Sequence, residues 1–60
     1  MTKEDRTKAI NMSFEAMLFA QALMDEAVTP REKNIAEAIY EAHNAIYWIL
    51  VEEKRKERHT

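Results

Sequence analysis

One short segment near the middle of the chain interrupts an otherwise continuous helical pattern. In Thr29-Pro30-Arg31-Glu32-Lys33, Thr29 is typical of a helix N-cap, Pro30 of the first helical position, and Glu32 of the acidic partner in a capping box. The chain has no glycine and no other proline, so it offers no comparable turn signal elsewhere. We therefore predict that one helix ends shortly before Thr29 and that a second begins at Pro30.

Length and composition predict a single all-α domain that spans residues 1–60. The 60 residues are rich in Ala, Glu, Ile and Lys, which suit helices. We expect helix one over about 3–27, a turn at 28–29 and helix two over about 30–57, with Thr2 and Asp5 forming a second capping box. Because the connection is so short, the two helices should fold back on each other as an antiparallel hairpin.

Helix one is apolar around most of its circumference. From Ala9 to Met24 it contains a single charged residue, Glu15. A methionine stripe follows one side at helical spacing and consists of Ile10, Phe14, Met17, Gln21 and Met24. The neighbouring small-residue stripe, which would let another helix approach closely, consists of Ser13, Ala16, Ala20, Leu23 and Ala27.

One hairpin cannot bury all of this apolar surface. Chains below about 70 residues usually need a covalent or metal staple or self-association, and this chain has no cysteine. We therefore predict a homo-oligomer, in which the hairpin self-associates into a helical bundle that ranges from a dimer to a hexamer.

Helix two has two neighbouring stripes of different character. The isoleucine stripe is cleanly apolar and consists of Ile35, Ile39, Ala42, Ile46 and Ile49. We expect this stripe to pack against helix one of the same chain. The adjacent tyrosine stripe is a mixture of aromatic, polar and small residues and consists of Lys33, Ala36, Tyr40, His43, Tyr47 and Leu50.

The start of helix two is a candidate anion site. Arg31 and Lys33 add positive charge at the positive end of a helix dipole, where acidic side chains are usual. The pattern fits an external phosphate, although solvated surface charge is the commoner explanation. Tyr40, His43 and Tyr47 could line a nucleobase pocket, or could be interface residues between subunits. The candidate ligand-binding residues are Arg31, Lys33, Asn34, Tyr40, His43 and Tyr47.

Catalytic and metal chemistry find little support in the sequence. The only serine, Ser13, lies in the small-residue stripe, and no Ser–His–acid set accompanies it. Glu41 and His43 are two residues apart, whereas a carboxylate-bundle metal site needs Glu and His three apart. We expect neither an enzyme nor a metal or cofactor site.

The distribution of charged residues indicates where in the cell the protein is expected. The longest uncharged runs fall far short of the roughly 20 residues of a membrane span, and the charged start is unlike a signal peptide. We expect a cytoplasmic protein without a membrane segment. A net charge of −2 gives no general attraction to nucleic acid.

The first half of helix two resembles a known family. The pattern is Arg31-Glu32-Lys33-x-Ile35-Ala36-x-x-x-Tyr40-Glu41-Ala42. It is similar to the helical hairpin domain of the phage anti-CBASS and anti-Thoeris proteins, over roughly residues 16–48. Those proteins oligomerise and act as sponges that sequester cyclic nucleotide immune signals without cleaving them.

The resemblance implies a function for this chain. It implies a phage-type immune evasion protein that sequesters a cyclic di- or trinucleotide in the host cytoplasm. Arg31, Glu32 and Lys33 stand at matching positions, whereas Tyr40 and the other aromatic candidates rest on the tyrosine stripe alone.

Two further function classes remain open. The start of the chain is also similar to the plasmid copy-number RNA-binding hairpin, which would assign RNA contacts to Lys3, Asn11 and Phe14. Alternatively, the methionines of helix one suit an adaptable surface, as in a small inhibitor or regulator that binds a host protein.

Overall fold

The protein is a hairpin of two long helices. The computed structural model describes residues 1–58, in which α1 (Lys3–Glu26) and α2 (Pro30–Arg58) pack against each other and no strand is present. The molecule is a rod of 48 × 15 × 15 Å. The predicted all-α hairpin is confirmed, and the helices begin and end within one residue of the predicted positions. His59 and Thr60 lie outside the described residues.

Both helix starts use the predicted threonines. The Thr2 hydroxyl accepts a hydrogen bond from the Asp5 backbone N–H at 3.0 Å, which is one half of a capping box. At α2 both halves are present. The Glu32 N–H donates to the Thr29 hydroxyl at 3.1 Å, and the Thr29 N–H donates to the Glu32 carboxylate at 3.2 Å. These bonds satisfy backbone donors that would otherwise be unpaired at the turn.

The contact between the helices is built from small side chains. Ala20 and Ala36 are 0% and 1% exposed, and Ser13 and Met17 are also buried. Buried and half-buried positions alternate in steps of three and four, which is the seam of a two-helix packing. On α1 they include Arg6, Ile10, Ser13, Met17, Ala20 and Met24, followed by the C-cap residue Ala27, and on α2 Ala36, Tyr40, His43, Tyr47 and Leu50.

The prediction that the isoleucine stripe packs against helix one was wrong. Ile35, Ile46 and Ile49 are 53%, 46% and 62% exposed, whereas the tyrosine stripe faces α1. Periodicity defines the angle between two stripes but does not decide which one faces the neighbouring helix. Here the stripe that contains Ala36 lies opposite the small residues of α1, so the backbones can approach closely. Ile35, Ile46 and Ile49 are left exposed on one side of the hairpin, and Ile39 is half-buried.

An ion pair joins the helices at the end opposite the turn, which we call the open end. The Arg6 guanidinium donates two hydrogen bonds to the two carboxylate oxygens of Glu57, at 2.8 and 2.6 Å. The hydrogen bond from Arg6 lowers the pKa of Glu57 below its ordinary value of 4.5, and the same bond raises the pKa of Arg6. Sequence analysis did not find this pair, because its members are 51 residues apart.

We expect Ala20→Leu to lower the free energy of unfolding by about 1–3 kcal/mol, because the larger side chain would force the helices apart. The matched control is Ala22→Leu, an exposed position on α1 that should change stability by less than about 0.5 kcal/mol. Urea unfolding at one fixed protein concentration measures both. Equal stability of the two variants would contradict the assigned seam.

We expect acid to weaken the open end. Since the pKa of Glu57 is lower in the folded state, its stabilising effect is complete above the ordinary pKa and is lost as the pH falls through the folded-state pKa. In thermal melts between pH 7 and pH 3, the melting temperature of Glu57→Gln should therefore fall less with acid than that of the parent. The control is Glu15→Gln, which removes an exposed carboxylate on α1, away from the ion pair. Its melting temperature should fall with acid as much as that of the parent. The same profile for Glu57→Gln and the parent would argue against the pair.

Candidate functional site

The three polar candidates at the start of α2 are exposed at the turn end of the hairpin, but they do not converge. Arg31 and Lys33 are two residues apart, so their side chains leave the helix about 200° apart. Arg31 and Asn34, three residues apart, share a side. Within one chain, Arg31 therefore lies closer to Asn34 than to Lys33, and the two cations do not form a clamp around a single phosphate.

The helix start itself has little remaining capacity to bind an anion. Pro30 has no N–H, the Glu32 N–H is bonded to Thr29, and the Lys33 N–H donates to the Thr29 carbonyl at 3.1 Å. Among the described residues of the first turn of α2, the backbone N–H of Arg31 is the one without a hydrogen-bond partner. The Glu32 carboxylate already supplies negative charge at this positive helix end. An external anion would therefore depend on side chains here.

A groove of about 250 Å³ lies beside the turn. Its lining consists of Leu23, Glu26, Ala27, Glu32, Ile35 and Ala36. Two carboxylates among apolar side chains repel a phosphate, so this groove does not extend the cationic group of Arg31 and Lys33 into an anion pocket.

The aromatic candidates lie on the seam between the helices. The His43 Nδ1 is 2.8 Å from the Ile39 carbonyl one turn earlier, and this oxygen can only accept, so Nδ1 carries the proton. The Tyr47 ring packs against Phe14 with ring centroids 6.0 Å apart, and against Trp48 edge-to-face at 5.2 Å. Tyr47 and His43 therefore have structural contacts in the hairpin.

The polar and aromatic candidates are too far apart for one compact site in a single chain. Lys33 and Tyr47 are separated by fourteen residues, which is about 21 Å along a helix. Lys33 and Tyr40 share a side at about half that distance. A small ligand that contacts both the turn end and Tyr47 would require residues from another copy of the chain.

Tyr47 has two cationic neighbours that the sequence analysis did not select. A groove of about 310 Å³ near the open end is lined by Ile10, Tyr47, Val51, Lys54 and Arg55. Sequence reasoning assigned the basic end of helix two to the helix dipole and solvent. The available signal was the spacing of Tyr47, Val51 and Lys54, which places one aromatic, one apolar and one basic residue on a single side.

His43 borders a different groove, on the opposite side of the seam. It has a volume of about 340 Å³ and is lined by Ala9, Met12, Ser13, Ala16 and His43. Since four of these five residues are apolar or small, the groove lacks the charged groups that would bind a phosphate.

The described residues contain neither a metal-ligand cluster nor a membrane span. Residues 1–58 contain no group of three or more His, Asp or Glu side chains placed to hold a metal ion. Neither described helix is sufficiently long and apolar to cross a bilayer.

Comparisons with models of known families, with curated proteins and with solved structures give no match for this chain.

We expect Tyr47→Ala to lower the free energy of unfolding by at least about 1 kcal/mol, because it removes both aromatic contacts. Tyr47→Phe keeps the ring and should stay within about 0.5 kcal/mol of the parent. Urea unfolding monitored by circular dichroism compares the two variants. If Tyr47→Ala is as stable as Tyr47→Phe, the ring does not hold the hairpin together.

Proposed function

We propose that this protein binds a cyclic di- or trinucleotide and sequesters it without cleaving it. The observation that carries the proposal is the groove in which Tyr47 lies beside Lys54 and Arg55. A nucleotide offers a flat base and a negatively charged phosphate. An aromatic ring next to two cations complements both, since bases stack on aromatic rings and phosphates pair with Lys and Arg.

In this proposal the base contacts Tyr47 and the apolar side chains of Ile10 and Val51. Lys54 and Arg55 contact phosphate oxygens, and the planar guanidinium of Arg55 can form two parallel hydrogen bonds. The lining of this groove combines apolar side chains with two cations, whereas the groove at the turn contains two carboxylates. The open end is therefore the better match for an anionic ligand.

The resemblance to the phage sponge proteins supports the ligand class and the absence of cleavage. It also gives a second location for phosphate contacts, at Arg31 and Lys33. Because these two cations point to different sides of α2, they would contact different phosphates, or a phosphate held jointly with another copy. The two locations make different predictions for the same binding measurement.

A second candidate function is protein binding, as a small inhibitor or regulator. The observation that favours it is the exposure of large apolar side chains on both helices, including Met12, Phe19 and Ile49. Exposed apolar surfaces of this kind are typical of protein–protein contact sites.

We expect Lys54→Ala/Arg55→Ala to weaken cyclic nucleotide binding by at least tenfold, which is about 1.4 kcal/mol. The loss follows because each charge-assisted hydrogen bond contributes about 1.5–3 kcal/mol. Titration calorimetry against a panel of cyclic di- and trinucleotides, with linear dinucleotides for comparison, measures the effect. Lys8→Ala is the matched control, because it removes an exposed cation from α1 away from the groove.

The companion variant Arg31→Ala/Lys33→Ala separates the two locations. A loss confined to this variant would place the phosphate contacts at the turn end, as the resemblance implies. Normal binding by both double variants, or no binding by the parent, would overturn the proposal and favour protein binding. Ligand recovered after heat denaturation should be unmodified, and a hydrolysed product would instead reveal an enzyme.

A further inference from the structure

Over residues 9–23 of α1 and 35–49 of α2, one side of the hairpin is apolar, and it is distinct from the groove that contains Tyr47. We call it the apolar face. It consists of Ala9, Met12, Ala16, Phe19 and Leu23 of α1 and Ile35, Ile39, Ala42, Ile46 and Ile49 of α2. Ten large hydrophobic side chains are exposed in the described part of the chain, and five of them lie on this face: Met12, Phe19, Ile35, Ile46 and Ile49.

The grooves of the hairpin show that the two helices contribute to the same face. Leu23 and Ile35 line one groove together, and Met12 and Ala16 line the next groove along the same side. The remaining members follow at intervals of seven residues, which return to the same side of a helix after two turns. Phe19 follows Met12 in this way, and Ile49 follows Ile35 through Ala42. The apolar face is therefore continuous along the rod.

The hairpin exposes more surface than expected for a folded monomer of its mass, and the excess is about the area that one partner buries in an interface. The chain exposes 4998 Å², whereas a folded monomer of 7.1 kDa exposes about 4,100 Å². The excess of about 900 Å² is close to the roughly 800 Å² that each partner buries in a protein interface of standard size. No large side chain in the described residues is fully buried, so the hairpin alone has almost no hydrophobic core.

We infer that the apolar face binds the same face of a second copy, which forms a four-helix bundle with an isoleucine core. The small residues Ala9, Ala16 and Ala42 leave space between the larger side chains, so two such faces can interdigitate. A self-complementary patch of this kind is what a twofold dimer requires. Larger assemblies would then form from these dimers.

Sedimentation equilibrium of the full chain without nucleotide tests the assembly. The parent should be a dimer or a multiple of a dimer at micromolar concentration, and Ile49→Glu should weaken association by at least tenfold. Phe19→Glu should do the same from the other helix. The matched control is Leu18→Glu, because Leu18 is 51% exposed but lies about 100° round the helix from Phe19, away from the apolar face. It should assemble like the parent.

A parent that remains monomeric would overturn the inference and leave the face for another protein. The same holds if Leu18→Glu dissociates the assembly as readily as Ile49→Glu. Circular dichroism of each variant checks that the helices remain folded. None of these outcomes depends on ligand binding, so the assembly and the proposed function can fail separately.

Discussion

The close approach of the two helices through small side chains is the contact on which the rest of the structure depends. Ala20 and Ala36 are almost completely buried although neither has a side chain larger than a methyl group. Small residues at a contact bring the backbones together, and the larger seam residues then pack at its edges. Tyr47 therefore lies beside Phe14 at the margin of the seam. The same choice leaves the isoleucines outside the hairpin, where they form the apolar face.

Local chemistry made much of the fold predictable. The capping box of Thr29 and Glu32 determines where the chain turns, because its hydrogen bonds join residues only three apart in sequence. The absence of glycine leaves no competing turn elsewhere. The choice of seam is a different problem. Ile35 and Ala36 are adjacent in sequence, and a rotation of α2 by about 100° exchanges their environments. Hydrophobicity favours the burial of the isoleucine, whereas close packing favours the alanine. The periodicity of α2 gives no information about the size of the α1 residues that face it, so it could not predict which stripe is buried.

The candidate site was less predictable for a related reason. Arg31 and Lys33 are neighbours in sequence, but a helix directs them to opposite sides. Tyr47, Lys54 and Arg55 are further apart in sequence, yet they line one groove together with Ile10 of the other helix. The register between α1 and α2 creates that groove, so reasoning from helix two alone could not locate it. The Arg6–Glu57 pair illustrates the same limit at the open end.

The lack of large buried side chains in a single hairpin also has a thermal consequence. The heat capacity change of unfolding comes mainly from apolar surface that becomes hydrated, and an isolated hairpin with so small a core has little such surface to expose. Its stability curve would be shallow, with no sharply defined temperature of maximum stability. A bundle that covers the isoleucines would gain a larger heat capacity change and a more strongly curved profile. The temperature response of this protein would then belong to the assembled particle rather than to the individual chain.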